Sequence, residues 1–111
     1  MKPALSPWQV WWADFDPQAD SEQGGRRPAI IVGTEIACQL LNDMAIVVPC
    51  STRDRNLAVQ PRINLAGTPS VAMCDQVKAV STDRLHNLHD SELTTEEVEQ
   101  IRDVLRRLIS V

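Results

Sequence analysis

Two pairs of side chains in this 111-residue chain are of types that do chemistry together: Arg26 and Arg27 at the end of one polar stretch, and Ser51 and Thr52 at the start of another. A guanidinium neutralises charge that develops on a pentavalent phosphorus, and its planar fork suits phosphate better than a lysine ammonium does. A neighbouring hydroxyl holds a phosphate oxygen in place. With Glu22 on the first stretch, these residues form a constellation suited to a phosphodiester. The plainer alternative is that the arginines are solvated and the Ser-Thr pair caps a turn, and spacing alone leans to that reading.

The other reactive residues carry less. His86 and His89 lie three apart with no Cys or His elsewhere at ligand spacing, so they read as surface or capping residues rather than as metal ligands or a general base. Cys50 reads as a small buried hydrophobe ending a strand, not as a thiol nucleophile. Gly24-Gly25 is followed by arginines and an apolar run, not by the GK[ST] and helix of a phosphate-cradling loop. Cys38, Cys50 and Cys74 are odd in number and lack CxxC spacing, which argues against a disulfide framework and a zinc site and fits a reducing cytoplasm. Apolar runs such as 29–32 and 45–48 fall far short of the roughly 20 residues of a membrane span, and no secretion signal follows Met1.

The formal net charge of −4 speaks against a polyanionic partner until its distribution is considered. Residues 1–25 and 83–111 each carry −3, whereas residues 26–82 carry +2. Five of the six bases in that middle stretch are arginines, at Arg26, Arg27, Arg53, Arg55 and Arg62. A locally basic surface therefore lies around the candidate constellation.

The elements that must position these residues follow from length and periodicity. A chain of this size fits one domain over 1–111, with a radius of gyration of roughly 13 Å. Its 43% hydrophobic and 23% charged residues are enough for an ordered core, to which a symmetric partner would add buried area. Residues 8–15 carry apolar side chains at odd and even positions alike, as in a strand buried on both faces. Asp16-Pro17 stops it, and residues 16–27 form a long polar loop. Strands are expected over 28–33, 44–50, 62–65, 70–74 and 76–81, with one or two helical turns within 35–42 and a turn at Gly67-Thr68-Pro69. Thr94 and Glu97 fit a capping box, and Val98, Ile101, Leu105, Leu108 and Ile109 follow helical spacing. The fold class is mainly β with a C-terminal α-helix, a small barrel or strongly curved sheet of SH3-like size.

Four stretches in order resemble the motifs of one family. The run DFDPQADSEQGGRRPAIIV (14–32) is similar to the signature of the MazF/PemK toxin endoribonucleases of type II toxin-antitoxin systems, VVPCSTRDR (47–55) to their second motif, PSVAMCDQVKAVSTDRL (69–85) to their third and LTTEEVEQIRDVLRRLI (93–109) to their terminal helix. The resemblance covers nearly the whole chain. It implies an SH3-like barrel of the type shared with CcdB-type gyrase poisons, forming a homodimer that binds single-stranded RNA in a groove at the dimer interface. Such a toxin cuts RNA, mRNA above all, at short specific sequences with no metal or other cofactor, arresting translation and growth. Position by position, Arg27 becomes the catalytic arginine and Ser51 stands where the family usually has its catalytic threonine, with Thr52 as the alternative hydroxyl. Glu22, on the same loop as Arg27, is the carboxylate offered as a general base. Gln23, Asp75 and Gln76 fall where the family lines its groove, with Arg26 and Arg53 beside them as RNA contacts. The chain departs from the family at Trp8-Gln9, where a Gly-Asp or Gly-Glu pair is common.

The implied chemistry is transesterification by the substrate's own 2′-hydroxyl, leaving a 2′,3′-cyclic phosphate and a 5′-hydroxyl. The implied partner besides RNA is an antitoxin whose acidic flexible tail covers the groove, with DNA reached only through that antitoxin. Two competing readings share the architecture: a toxin that wedges against gyrase without cutting RNA, and a silent SH3-like adaptor, which the absence of Tyr and the single Phe disfavour.

Overall fold

Apolar side chains on both of its faces commit the first strand to two cores at once. In the computed structural model, which describes residues 4–15, 25–40 and 43–110, β1 (Val10–Phe15) turns Val10 to one core and Ala13 and Phe15 to the other. β1 pairs antiparallel with β2 (Gly25–Ile31), from Val10 opposite Ile30 to Phe15 opposite Gly25. The short helix α1 (Glu35–Leu40) leads from β2 towards β3 (Met44–Ser51), which pairs with β2. Beyond β3 come β4 (Arg62–Leu65), β5 (Thr68–Ala72), β6 (Lys78–Ser81), β7 (Leu85–Leu88) and the terminal helix α2 (Thr95–Leu108).

The hydrogen-bonded path runs β4-β5-β3-β2-β1-β7, with β6 branching from β3. The free edge of β3 is shared: Met44 to Val47 pair with β6, and Cys50 and Ser51 pair with β5. The expected mainly β fold with a C-terminal helix is therefore present, but as a sheet that does not close, because β4 and β7 end it without meeting. The first core contains Val10, Ile30, Val48, Cys50, Ile63, Leu65, Ala72 and Cys74, and α2 covers it with Ile101 while Val104 and Leu105 pack alongside. Burying a side chain such as Ile101 contributes about 2 kcal/mol. The second core, around Ala29, Ile31, Val47, Val80 and Leu85, lies on the other face.

The helix start is the one expected. Thr94 Oγ1 accepts the Glu97 amide at 3.1 Å while Glu97 Oε1 accepts the Thr94 amide at 2.8 Å. Glu97 Oε2 also accepts the Asn64 amide of β4 at 2.7 Å, so one carboxylate caps the helix and occupies a donor on the edge strand.

Several expectations are corrected, among them the strands over 70–74 and 76–81, which are β5 at Thr68–Ala72 and β6 at Lys78–Ser81 with a 3-10 turn at Cys74–Gln76 between them. β2 begins at Gly25 rather than at Pro28, because Arg26 and Arg27 pair with Asp14 and Ala13 of β1; both arginines are strand residues, not loop residues. β7 was not anticipated, since Leu85 is its only buried residue and its sequence, LHNL, has no strand periodicity. The β4–β5 turn is Ala66-Gly67, one residue earlier than expected, with φ of 52° and 91°. Positive φ at both central residues is what a type I′ two-residue hairpin requires, and glycine supplies it at the second. The radius of gyration is 13.1 Å. No helix among the described residues is long and apolar enough to cross a membrane.

Candidate active site

The β2–β3 register brings the two candidate pairs together. It runs from Ile31 opposite Val47 to Ala29 opposite Pro49, so that Arg26 and Arg27 at the start of β2 lie towards Ser51 at the end of β3 and Thr52 just after it. All four line one concave pocket of about 450 Å³, within the usual range for a small-ligand site.

Ser51 is half-buried, and its Oγ accepts the Arg53 amide at 3.0 Å. That bond fixes the side chain through a lone pair and leaves the hydroxyl hydrogen free to donate, as holding an anionic oxygen demands. Arg27 is half-buried on β2, whereas Arg26 and Thr52 are exposed. The guanidiniums of Arg26 and Arg27 bring positive charge to the pocket.

The structure separates the remaining candidates. Glu22 and Gln23 lie outside the described residues. Arg53 is exposed beyond the pocket lining and contributes its backbone amide to Ser51. Asp75 and Gln76 form a 3-10 turn at Cys74–Gln76, away from the pocket lining. Asp75 Oδ1 instead accepts Nε2 of Gln60 at 3.2 Å, and Gln60 is buried with its Oε1 unpaired. Arg62, grouped with the phosphate-suited arginines by sequence, fastens the neighbouring loop: its Nε meets Asp54 Oδ2 at 2.6 Å and its Nη2 meets Asn56 Oδ1 at 3.0 Å. The Arg62 hydrogen bond, followed by the Asn56 amide, holds the Asp54 carboxyl below its ordinary range.

Sequence reasoning missed two aromatic members of the pocket. Trp12 and His89 both line it, with ring centroids 4.8 Å apart. The sequence pattern makes His89 a surface or capping residue; the structure has it half-buried, while His86 is exposed with Nε2 3.9 Å from Asp14. Trp12 pairs with Pro28 and shares its face, a placement that only the strand pairing shows. His89 carried no signal either, because only the unanticipated β7 brings it beside β1. Cys50 is a buried free thiol at the pocket floor, and burial pushes its ionisation far up, consistent with a packing role.

A sequence profile of the PemK-like, MazF-like toxins of type II toxin-antitoxin systems matches residues 6–109. The chain belongs to this family. Among curated relatives, the endoribonuclease toxin MazF of Escherichia coli (strain K12) is 29% identical over 98 residues, which span 88% of this chain and 87% of the relative. Among solved structures, MazF from Deinococcus radiodurans superposes with a TM-score of 0.80 at 21% identity, covering 98% of this chain and 99% of that one. An endoribonuclease from a mycobacterial species, solved in complex with its cognate antitoxin, superposes with a TM-score of 0.76 at 18% identity over 94% and 93% of the two chains. The open sheet with its C-terminal helix is therefore the MazF fold. Within a MazF-like chain, Arg27 and Ser51 fall in the two motifs that meet at the pocket.

Proposed function

We propose that this chain is a single-domain, sequence-specific endoribonuclease toxin that cuts single-stranded RNA by 2′-hydroxyl transesterification. The observation that carries the reading is the couple of Arg27 and Ser51 on adjacent strands of one pocket. In the reaction the substrate's O2′ bonds to the adjacent phosphorus as its proton leaves, the P–O5′ bond breaks, and O5′ takes up a proton. The products are a 2′,3′-cyclic phosphate and a 5′-hydroxyl.

Arg27 neutralises the charge that builds on the phosphorane oxygens and stands ready to deliver a proton to the leaving O5′. Ser51 donates its free hydroxyl hydrogen to a non-bridging oxygen and fixes the phosphate for in-line attack. Glu22 is the carboxylate proposed to accept the 2′-hydroxyl proton. Arg26, Thr52 and Arg53 bind the neighbouring backbone, and Gln23, Asp75 and Gln76 contact RNA along a groove that a second copy of the chain completes. The nucleophile comes from the substrate, so the mechanism calls for neither a protein nucleophile nor a metal, and DNA, lacking the 2′-hydroxyl, is not cut.

Relatives matched over most of their length are named endoribonucleases, which supports this reading over the gyrase-poisoning one. A structural neighbour bound to its antitoxin supports control by an acidic antitoxin tail laid over the arginine-lined pocket. The proposed location is the cytoplasm, where such an RNA target and partner meet. The test is incubation of the purified protein with a long single-stranded RNA in EDTA. Discrete cuts with cyclic-phosphate ends support the proposal; intact RNA overturns it.

A further inference from the structure

Ser91 fixes the orientation of the His89 ring and which of its nitrogens accepts. The Ser91 amide donates to its Nδ1 at 3.0 Å, and Ser91 Oγ lies 2.7 Å from the same nitrogen. An amide hydrogen has no choice of direction, so Nδ1 must present a lone pair, and the proton of the neutral imidazole sits on Nε2. The ring also packs against Trp12, with centroids 4.8 Å apart and the planes inclined by 40°. Both rings line the pocket that contains Arg27 and Ser51.

Two consequences follow. A general base needs a free lone pair, and this imidazole has one nitrogen occupied by Ser91 and the other protonated, so it is arranged to donate rather than to abstract. An aromatic wall beside a phosphate-binding arginine is also the arrangement that receives an unstacked nucleobase, whose π-face stacks on the rings while a fixed donor addresses its edge.

We propose that His89 is a specificity-determining residue: Trp12 and His89 stack one nucleobase flanking the scissile phosphate, and His89 Nε2–H donates to an acceptor on that base. This rests on the ribonuclease reading and adds to it which residues read one position of the cut sequence. His89 also borders a second hollow of about 520 Å³, lined by Pro7, Trp8, Gln9 and Glu92 among others, so the ring stands between the phosphate pocket and a continuation of the same surface. A base on the wall would thus mark the boundary between the nucleotide being cut and the chain leading away.

The test compares cleavage-site spectra of wild type, His89→Phe and His89→Gln on one long RNA, with kcat and KM measured on short RNAs that vary the flanking bases. His89→Phe keeps an aromatic face without a donor; it should cut additional sites that differ from the wild-type sequence at one position. Its preference there should fall about five- to tenfold, the worth of one well-placed hydrogen bond, with the loss mainly in KM. His89→Gln restores a donor and should recover part of the preference. Ser91→Ala, which loosens the ring while keeping the imidazole, should relax the same position more weakly and serves if the His89 variants melt early. An unchanged site spectrum in folded His89→Phe overturns the inference while the ribonuclease reading stands. Complete loss of cleavage in folded His89→Phe also overturns it, by making His89 part of the chemistry. A wild-type protein that cuts nothing overturns the ribonuclease reading and the inference together.

Discussion

The guanidinium carbon of Arg102 on α2 lies 5.3 Å from the ring centroid of Trp8, which precedes β1. Trp8 has a φ of 71°, the left-handed region that a bulky side chain rarely adopts and glycine adopts freely. This gives a reason for the glycine common at this place in the family. The strain is held by a 2.7 Å bond from the Trp8 amide to the Ile31 carbonyl, by packing of the indole on the first core and by the Arg102 cation over its face. Gln9, the other departure, accepts the Trp11 indole N–H and the Ser6 amide through one carboxamide oxygen.

Trp8→Ala should therefore be less stable than Trp8→Gly, although alanine ordinarily stabilises relative to glycine. Both lose the indole, but only alanine keeps the left-handed strain, so glycine should be favoured by about 1 kcal/mol. Thermal or urea unfolding of the pair measures it. An alanine variant at least as stable as the glycine one would show that the backbone at position 8 is not strained.

Arg27→Ala should lower the cleavage rate on the order of a hundredfold or more, with the circular dichroism spectrum unchanged, because β2 pairs with β1 through its backbone. Ser51→Ala should be comparably severe, Ser51→Thr should retain activity, and Thr52→Ala should be mild, since Ser51 is half-buried with its Oγ held by the Arg53 amide whereas Thr52 is exposed. A severe Thr52→Ala with a mild Ser51→Ala would transfer the role to Thr52.

Glu97→Ala should destabilise the fold by about 1–2 kcal/mol, because its carboxylate bonds both the Thr94 cap and the Asn64 amide of β4. Glu97→Gln, which keeps one acceptor oxygen, should lose less. Urea midpoints at constant m-value decide; equal losses would mean that the second oxygen contributes nothing.

Stability should fall at high pH. Burial first, then Asp75, pushes the Cys74 thiol from its ordinary 9.0 up to about 12, and burial with Cys74 nearby pushes Cys50 up further. The folded chain holds these protons where the unfolded chain has released them, so the contribution is complete below pH about 9 and is lost as pH rises towards 12 and beyond. Unfolding midpoints across that window should decline, and thiol reagents at pH 8 should modify Cys38 well before Cys50 or Cys74. Rapid labelling of all three thiols in the native protein would contradict the burial.

What was legible in the sequence is what neighbouring residues decide. The Thr94–Glu97 box and the 3.6-residue spacing of Val98, Ile101 and Leu105 are local patterns, and α2 forms where they lie. The two-sided apolar pattern of β1 likewise foretold its two cores. Boundaries failed where a partner strand overrode composition: GRR is strand because β1 pairs with it, and LHNL is strand because Trp11 and Trp12 lie opposite Leu88 and Asn87.

The sequence by itself determined the family, the helix and the residue types at the site, because motifs and caps are properties of contiguous residues. Only the tertiary structure decided that Arg26, Arg27, Ser51 and Thr52 line one pocket, that Arg62 is bound to Asp54, and that Trp12 and His89 complete the pocket wall. Those facts depend on strand register, and register is set by pairing between segments far apart in the chain, where a shift of one residue turns every side chain to the opposite face.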